Sequence, residues 1–184
     1  MTAPSWTADP LVWGQGPQRF EVFLEPTCPF SGRALGKLWE FLDLADPERV
    51  SVLIRLQSQP WHMFSGLITR AILVASTTAD GKEAARRVME AIYANRKVFE
   101  FDDHATGPNR DATPDEILRR ITNESGVAME DAFDIPDLDR EIKWHCKYAH
   151  QNGIHVSPTF MVNGLIAADL GGGDSLAAWA AKLD

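Results

Sequence analysis

The chain has 184 residues, 45% of them hydrophobic, and a formal charge of −8 at neutral pH. That length suits one well-buried domain, and six tryptophans and nine phenylalanines speak against a disordered chain. Basic residues occur as pairs such as Arg86-Arg87 and Arg119-Arg120, read as solvated helix surface. Neither the basic face of a nucleic-acid binder nor an apolar run near the ~20 residues of a membrane span is present.

Met1 to Gly16 is rich in Pro, Trp and Gly and reads as a partly ordered arm. It lacks the basic-then-apolar order of a secretory signal, so the expected compartment is the cytoplasm. Arg19 to Leu24 reads as a central strand. It delivers Cys28-Pro29-Phe30-Ser31 to the start of a helix reaching about Leu44. Pro29 suits a first helical position, where its missing N–H costs nothing, and Ala45-Asp46-Pro47 stops the helix. Val50 to Leu56 reads as a second strand parallel to the first, giving a right-handed βαβ unit. Gln57 to His62 is a loop.

Phe64 to Phe101 is helical in pattern, broken at Thr78-Ala79-Asp80-Gly81, with Asp80 as candidate cap. Asp102 to Ala112 is a polar loop. Thr113-Pro114-Asp115-Glu116 is a helix start with a capping residue, an early proline and an acid in the first turn. That helix ends near Asn123, and Gly126 to Phe133 is a short turn or helix. Ile135 to Asn152 is a further helix closed by Gly153. Pro158 to Val162, the hairpin signal Asn163-Gly164 and Leu165 to Ala167 return the chain to β structure. Gly171-Gly172-Gly173 then leads through Asp174-Ser175 into a last helix.

Cys28 is the principal candidate for chemistry. The first amides of a helix lack internal partners, and the helix dipole favours negative charge there; such placement lowers a thiol's pKa. Cys146 reads as a structural cysteine, since free cysteines are often buried. It is not paired with Cys28 in any disulfide scaffold. His145, Cys146 and His150 on one helix give at most two converging ligands where a structural zinc takes four, so no metal is expected. His104 in its polar loop is an isolated histidine beside Asp102 and Asp103. The triple glycine lacks the Lys-Ser/Thr of a nucleotide loop.

Three features together resemble the thioredoxin superfamily, and within it the DsbA-like branch with an inserted helical domain. They are Cys28-Pro29-Phe30-Ser31 after the first core strand, Ser157-Pro158-Thr159-Phe160 before Asn163-Gly164, and the order βαβ, helical block, ββα. The fold class implied is α/β: a thioredoxin-like fold with an inserted helical subdomain. Residues 17–63 and 154–184 would form the core and 64–153 the insertion, within one domain.

The resemblance implies that Cys28 is the nucleophile and that Pro158 is cis and lies against it. Backbone near Ser157 and Thr159 would pair with a peptide or glutathione, and Pro29 and Phe30 would shape the rim. Ser31 stands where a second redox cysteine would be and could offer its hydroxyl to the Cys28 sulfur. The loop carrying Trp61 and His62 would border the site, and Asp174 would meet glutathione's amine. Val22 stands where thioredoxins keep a buried acid, and Glu25 is the nearest carboxylate in sequence.

The branch is also similar to kappa-class glutathione transferases and chromene-carboxylate isomerases. Three activities therefore stay open: thiol–disulfide exchange through one cysteine, glutathione-dependent isomerisation or transfer, and non-catalytic peptide binding. The partners implied are a thiol or disulfide, small molecule or protein. No cofactor is required, with glutathione as the candidate co-substrate and a homodimer left open.

Overall fold

A computed structural model describes residues 10–103, 106–129, 132–135 and 137–184; His104 lies outside them. A short strand, β1 (Val12–Gly14), precedes β2 (Gln18–Leu24), helix α1 (Pro29–Ala45) and β3 (Val50–Leu56). Four helices follow: α2 (Ser65–Ala75), α3 (Lys82–Ala94), α4 (Pro114–Ser125) and α5 (Leu138–Gln151). The hairpin β4 (Thr159–Val162) and β5 (Leu165–Ile166) and helix α6 (Leu176–Ala180) complete the chain. The sheet order is β1-β3-β2-β4-β5. β2 and β3 run parallel from Gln18↔Val50 to Leu24↔Leu56, while β4 lies antiparallel to β2 on its other side.

Successive side chains of a strand point to opposite faces, and β2 uses both. Phe20, Val22 and Leu24 enter the main core. There Trp179 of α6 packs on Phe20, Phe41 and Phe160, with ring centroids 5.1 to 5.7 Å apart. Phe23 instead joins Ala149, Ile154 and Met161 under α5, stacked on Tyr148. Glu21 also belongs to the second face. Fully buried, it accepts from Arg55 Nε at 2.9 Å and from the Tyr148 hydroxyl at 3.2 Å. His145 Nδ1 accepts the Leu56 amide at 2.8 Å, so this side chain fastens α5 to β3. Among the described residues no group of three His, Cys, Asp or Glu stands ready to hold a metal ion.

Several boundaries differ from the sequence reading. The arm expected from Met1 to Gly16 contains β1, which pairs antiparallel with β3. Trp13 fixes it by donating Nε1–H to Glu83 at 2.8 Å and by an edge-on contact with Trp39. Three residues are too few for alternation to register, so the strand is written in its tertiary contacts. Asp80 does not cap α3: Gly81 is the N-cap, at φ +56°, and Asp80 pairs with Arg87 instead. The α4 cap is as the motif predicts. Thr113 accepts from Glu116 N, and Glu116 reaches back to Thr113 N at 2.7 Å. Helix α5 begins three residues later than expected, at Leu138, and the returning strand β5 ends at Ile166.

Candidate active site around Cys28

Cys28 is the N-cap of α1, at φ −69° and ψ 127°. Its carbonyl accepts the first helical bond, from Gly32 N at 3.0 Å, while Pro29 behind it needs no acceptor. Cys28 is 6% exposed, and its thiol donates to the Ser157 carbonyl at 3.7 Å. The Ser157–Pro158 peptide is cis. Two segments 129 residues apart in the chain thus meet at one sulfur. The Gly171–Gly173 loop closes the same corner. A Cβ on Gly172 would stand 2.8 Å from the Phe30 carbonyl oxygen and 3.1 Å from Pro158 Cγ.

The turn that presents Cys28 is clamped from several sides. Cys28 N donates to the Glu25 carbonyl at 3.3 Å, and the Tyr93 hydroxyl donates to the same oxygen at 2.7 Å. Arg96, in the one-turn helix after α3, donates to the Thr27 carbonyl and holds Glu100 with its other arm. Burial pushes the Tyr93 phenol well above its usual range, with the nearby charges of Glu25 and Cys28 adding to the rise. It therefore stays a donor at any ordinary pH.

Ser31 is fully buried and accepts the Glu25 amide at 3.1 Å; no hydrogen bond joins it to Cys28. Its oxygen thus braces the turn that presents Cys28. Glu25, also fully buried, turns its carboxylate inward to the Thr27 amide at 2.8 Å and the Thr27 hydroxyl at 3.1 Å. His62 completes this cluster, with Nδ1 2.9 Å from Thr27 Oγ1 and Nε2 3.7 Å from Glu25 Oε2. His62 therefore stands beside the residue before Cys28 rather than loose on the rim.

The other expected residues divide. Phe30, Trp61, Met63 and Val156 are large apolar side chains left exposed on the segments that border Cys28. Ser157 donates Oγ–H to Gln59 at 3.4 Å. Thr159 spends its hydroxyl on the Val156 carbonyl at 2.7 Å. Asp174 gives its carboxylate to the Gly171 amide at 2.7 Å and its carbonyl to Lys37, so it builds the glycine loop. Tyr93, Arg96 and Thr27 were not legible as site residues. Tyr93 and Arg96 lie more than sixty positions from Cys28 and sit in an ordinary amphipathic helix pattern.

No protein-family model matches the chain, and no curated protein does. Among solved structures, a protein of Pseudomonas syringae provisionally described as a protein-disulfide isomerase is 55% identical. That match covers 96% of this chain and 99% of the other, with a TM-score of 0.93. DsbA2 of Pseudomonas aeruginosa shares the fold at 18% identity and a TM-score of 0.67, over 97% of this chain and 94% of its own. A periplasmic thioredoxin-like protein of Salmonella enterica serovar Typhimurium shares it at 15% identity and 0.65, over 96% and 88%. This last neighbour overturns the cytoplasmic expectation. That expectation came from the composition of the first sixteen residues, and it does not stand beside a neighbour of the same fold that is itself periplasmic. With more than half its residues shared with the P. syringae protein along almost the whole of both chains, the chain belongs to the thioredoxin superfamily, as a DsbA-like protein with a helical insertion.

Proposed function

We propose that this protein is a thiol–disulfide oxidoreductase that works through one nucleophile, Cys28. The observation that carries the reading is the meeting of the Cys28 sulfur, at the α1 N-cap, with the Ser157 carbonyl of the Pro158 loop at 3.7 Å. Unpartnered amides and the helix dipole favour negative charge at that end of the helix. As thiolate, Cys28 attacks one sulfur of a disulfide. A Cys28–sulfur bond forms as the substrate S–S bond breaks, and the departing thiolate carries off the electron pair and takes a proton from solvent. Ser31 holds the turn instead of a second thiol, so an external thiol, with glutathione the candidate, must attack the mixed disulfide and restore Cys28.

The experiment is incubation with a disulfide followed by intact-mass analysis of the wild type and of Cys28→Ser. The wild type should gain one disulfide partner's mass, removable by thiol, and the variant should gain none. Equal modification of the variant would overturn the mechanism. A second reading, an extended-peptide binder without chemistry, is favoured by the exposed Phe30, Trp61, Met63 and Val156. It predicts peptide binding by a wild type that forms no mixed disulfide.

A further inference from the structure

The turn before Cys28 carries a polar cluster to which the exchange step gives no part. Glu25 and Thr27 are shut from solvent, and the His62 side chain is 17% exposed. Thr27 has a single hydroxyl hydrogen, and its direction decides how the cluster is protonated. The Glu25 carboxylate takes the Thr27 amide at 2.8 Å and lies 3.1 and 3.3 Å from the Thr27 hydroxyl oxygen. With Glu25 ionised the hydroxyl hydrogen points to it, because bare oxygens facing each other in a dry site are costly. The Thr27 oxygen is then left to accept, and its neighbour is His62 Nδ1 at 2.9 Å, so Nδ1 carries a proton. His62 Nε2 faces Glu25 Oε2 at 3.7 Å, an attraction only if Nε2 is protonated too. The cluster is complete as a carboxylate and an imidazolium joined by one hydroxyl.

This cluster bears on the reacting cysteine. Thr27 directly precedes Cys28, and Cys28 N donates to the Glu25 carbonyl at 3.3 Å. The Tyr93 phenol, 2.7 Å from that carbonyl oxygen, is raised by burial and then by the charges of Glu25 and Cys28, so both charges are felt at one hydroxyl. The other charged groups around the turn are engaged elsewhere. Arg96 donates to the Thr27 carbonyl and holds Glu100. Arg70 of α2 holds Asp139, Arg33 of α1 lies over the Phe30 ring, and His155 before the Pro158 loop is exposed beside His150. Like charges at close range disfavour each other. A bare carboxylate three residues before Cys28 therefore opposes the thiolate, and an imidazolium set against that carboxylate removes the opposition.

Resting on the exchange reading above, we infer that His62 is a positioning residue for the reaction: as imidazolium it cancels the buried Glu25 carboxylate and so allows Cys28 to carry negative charge. His62 acts through Glu25 and Thr27, without touching the substrate. The coupling is reciprocal, because a group that favours charge at a second group is itself favoured by that charge. His62 therefore holds its proton best while Cys28 is a thiolate and less well once Cys28 is locked in a mixed disulfide.

The test follows mixed-disulfide formation at Cys28 with hydroxyethyl disulfide, an uncharged probe, from about pH 5 to about pH 9, across the range in which a histidine titrates. His62→Gln should be slower than the wild type on the acid side by roughly fivefold to tenfold, one unit of thiol ionisation being tenfold, and the two curves should meet on the alkaline side. Adding Glu25→Gln to His62→Gln should restore the acid-side rate, since the charge that needed cancelling is gone. A residue that merely held the turn in shape would slow Cys28 at every pH and would not be rescued in this way. A second measurement uses the wild-type chain alone, and so decides the matter even if His62→Gln fails to fold. Capping Cys28 with iodoacetamide, which leaves it uncharged, should lower the pH at which the His62 ring signals titrate in NMR. Parallel pH profiles for the wild type and His62→Gln, or a His62 titration unmoved by the cap, would overturn the role of His62 while leaving exchange at Cys28 intact. No mixed disulfide on wild-type Cys28 at any pH would instead overturn the exchange reading.

Discussion

The two cysteines of this chain live in opposed surroundings. Cys28 ends a helix at its positive pole, whereas Cys146 lies within α5, where burial pushes its thiol above the ordinary range. A thiol with a raised pKa is mostly protonated at neutral pH, and only the thiolate reacts. Alkylation of Cys146 in the folded protein should therefore be slow near neutrality and should accelerate only above the pH at which the unfolded chain's cysteines react. Mass-mapped iodoacetamide labelling against pH checks this, and labelling of Cys146 at the unfolded rate near neutrality would contradict it. At this scale the sequence announced Cys28, because strand, cysteine and proline are consecutive. It did not announce Glu25, Thr27 and His62 as one cluster, because a carboxylate's direction depends on the turn it sits in. Ser31 shows the same limit: its position one turn along α1 was legible, but its commitment to the Glu25 amide required the fold.

Among the elements, α4 is the one whose start is most fully encoded. Thr113, Pro114 and Glu116 form a reciprocal cap, and Thr113→Ala should cost about 1 kcal/mol, measurable by denaturant unfolding. The Thr113 amide and hydroxyl hold the Glu116 carboxyl below its usual value. A carboxyl depressed in the folded state contributes stability that is complete above its unfolded pKa and is lost as pH falls through the folded one. Protection of the first-turn amides of α4, relative to their intrinsic exchange at each pH, should therefore fall on acidification below the usual carboxylate range, and Glu116→Gln should remove that pH dependence. Strand β1 is the opposite case. Its three residues carry no period; backbone pairing with β3 joins it to the sheet, and Trp13 ties it to the helices through Glu83 and Trp39. Long amphipathic segments were readable because their pattern repeats; β1 was not, because the strand it pairs with and the glutamate that holds Trp13 lie far along the chain.

For the molecule as a whole, the site is where separate parts of the chain converge rather than a property of one motif. Gly172 shows how closely they do so. Replacing it with alanine sets a methyl against the Phe30 carbonyl and Pro158, and neither backbone nor ring can easily give way. Gly172→Ala should destabilise the fold by about 1 to 3 kcal/mol, the range of core overpacking, and slow exchange at Cys28. A variant of wild-type stability and rate would show that the loop has room. The order of strands and helices was readable from the chain because hydrophobic periods and turn residues are local. The clamp on the Cys28 turn was not, because Tyr93 and Arg96 come from α3 and the short helix after it.

The 129 residues between Cys28 and Ser157 also have a meaning in time. A ribosome adding about 5 to 20 residues per second finishes the cysteine well before the carbonyl that will shield it. For a span on the order of ten seconds at these rates, the growing chain carries Cys28 as an ordinary unguarded thiol. The finished site is assembled only when roughly the last sixth of the 184-residue chain arrives.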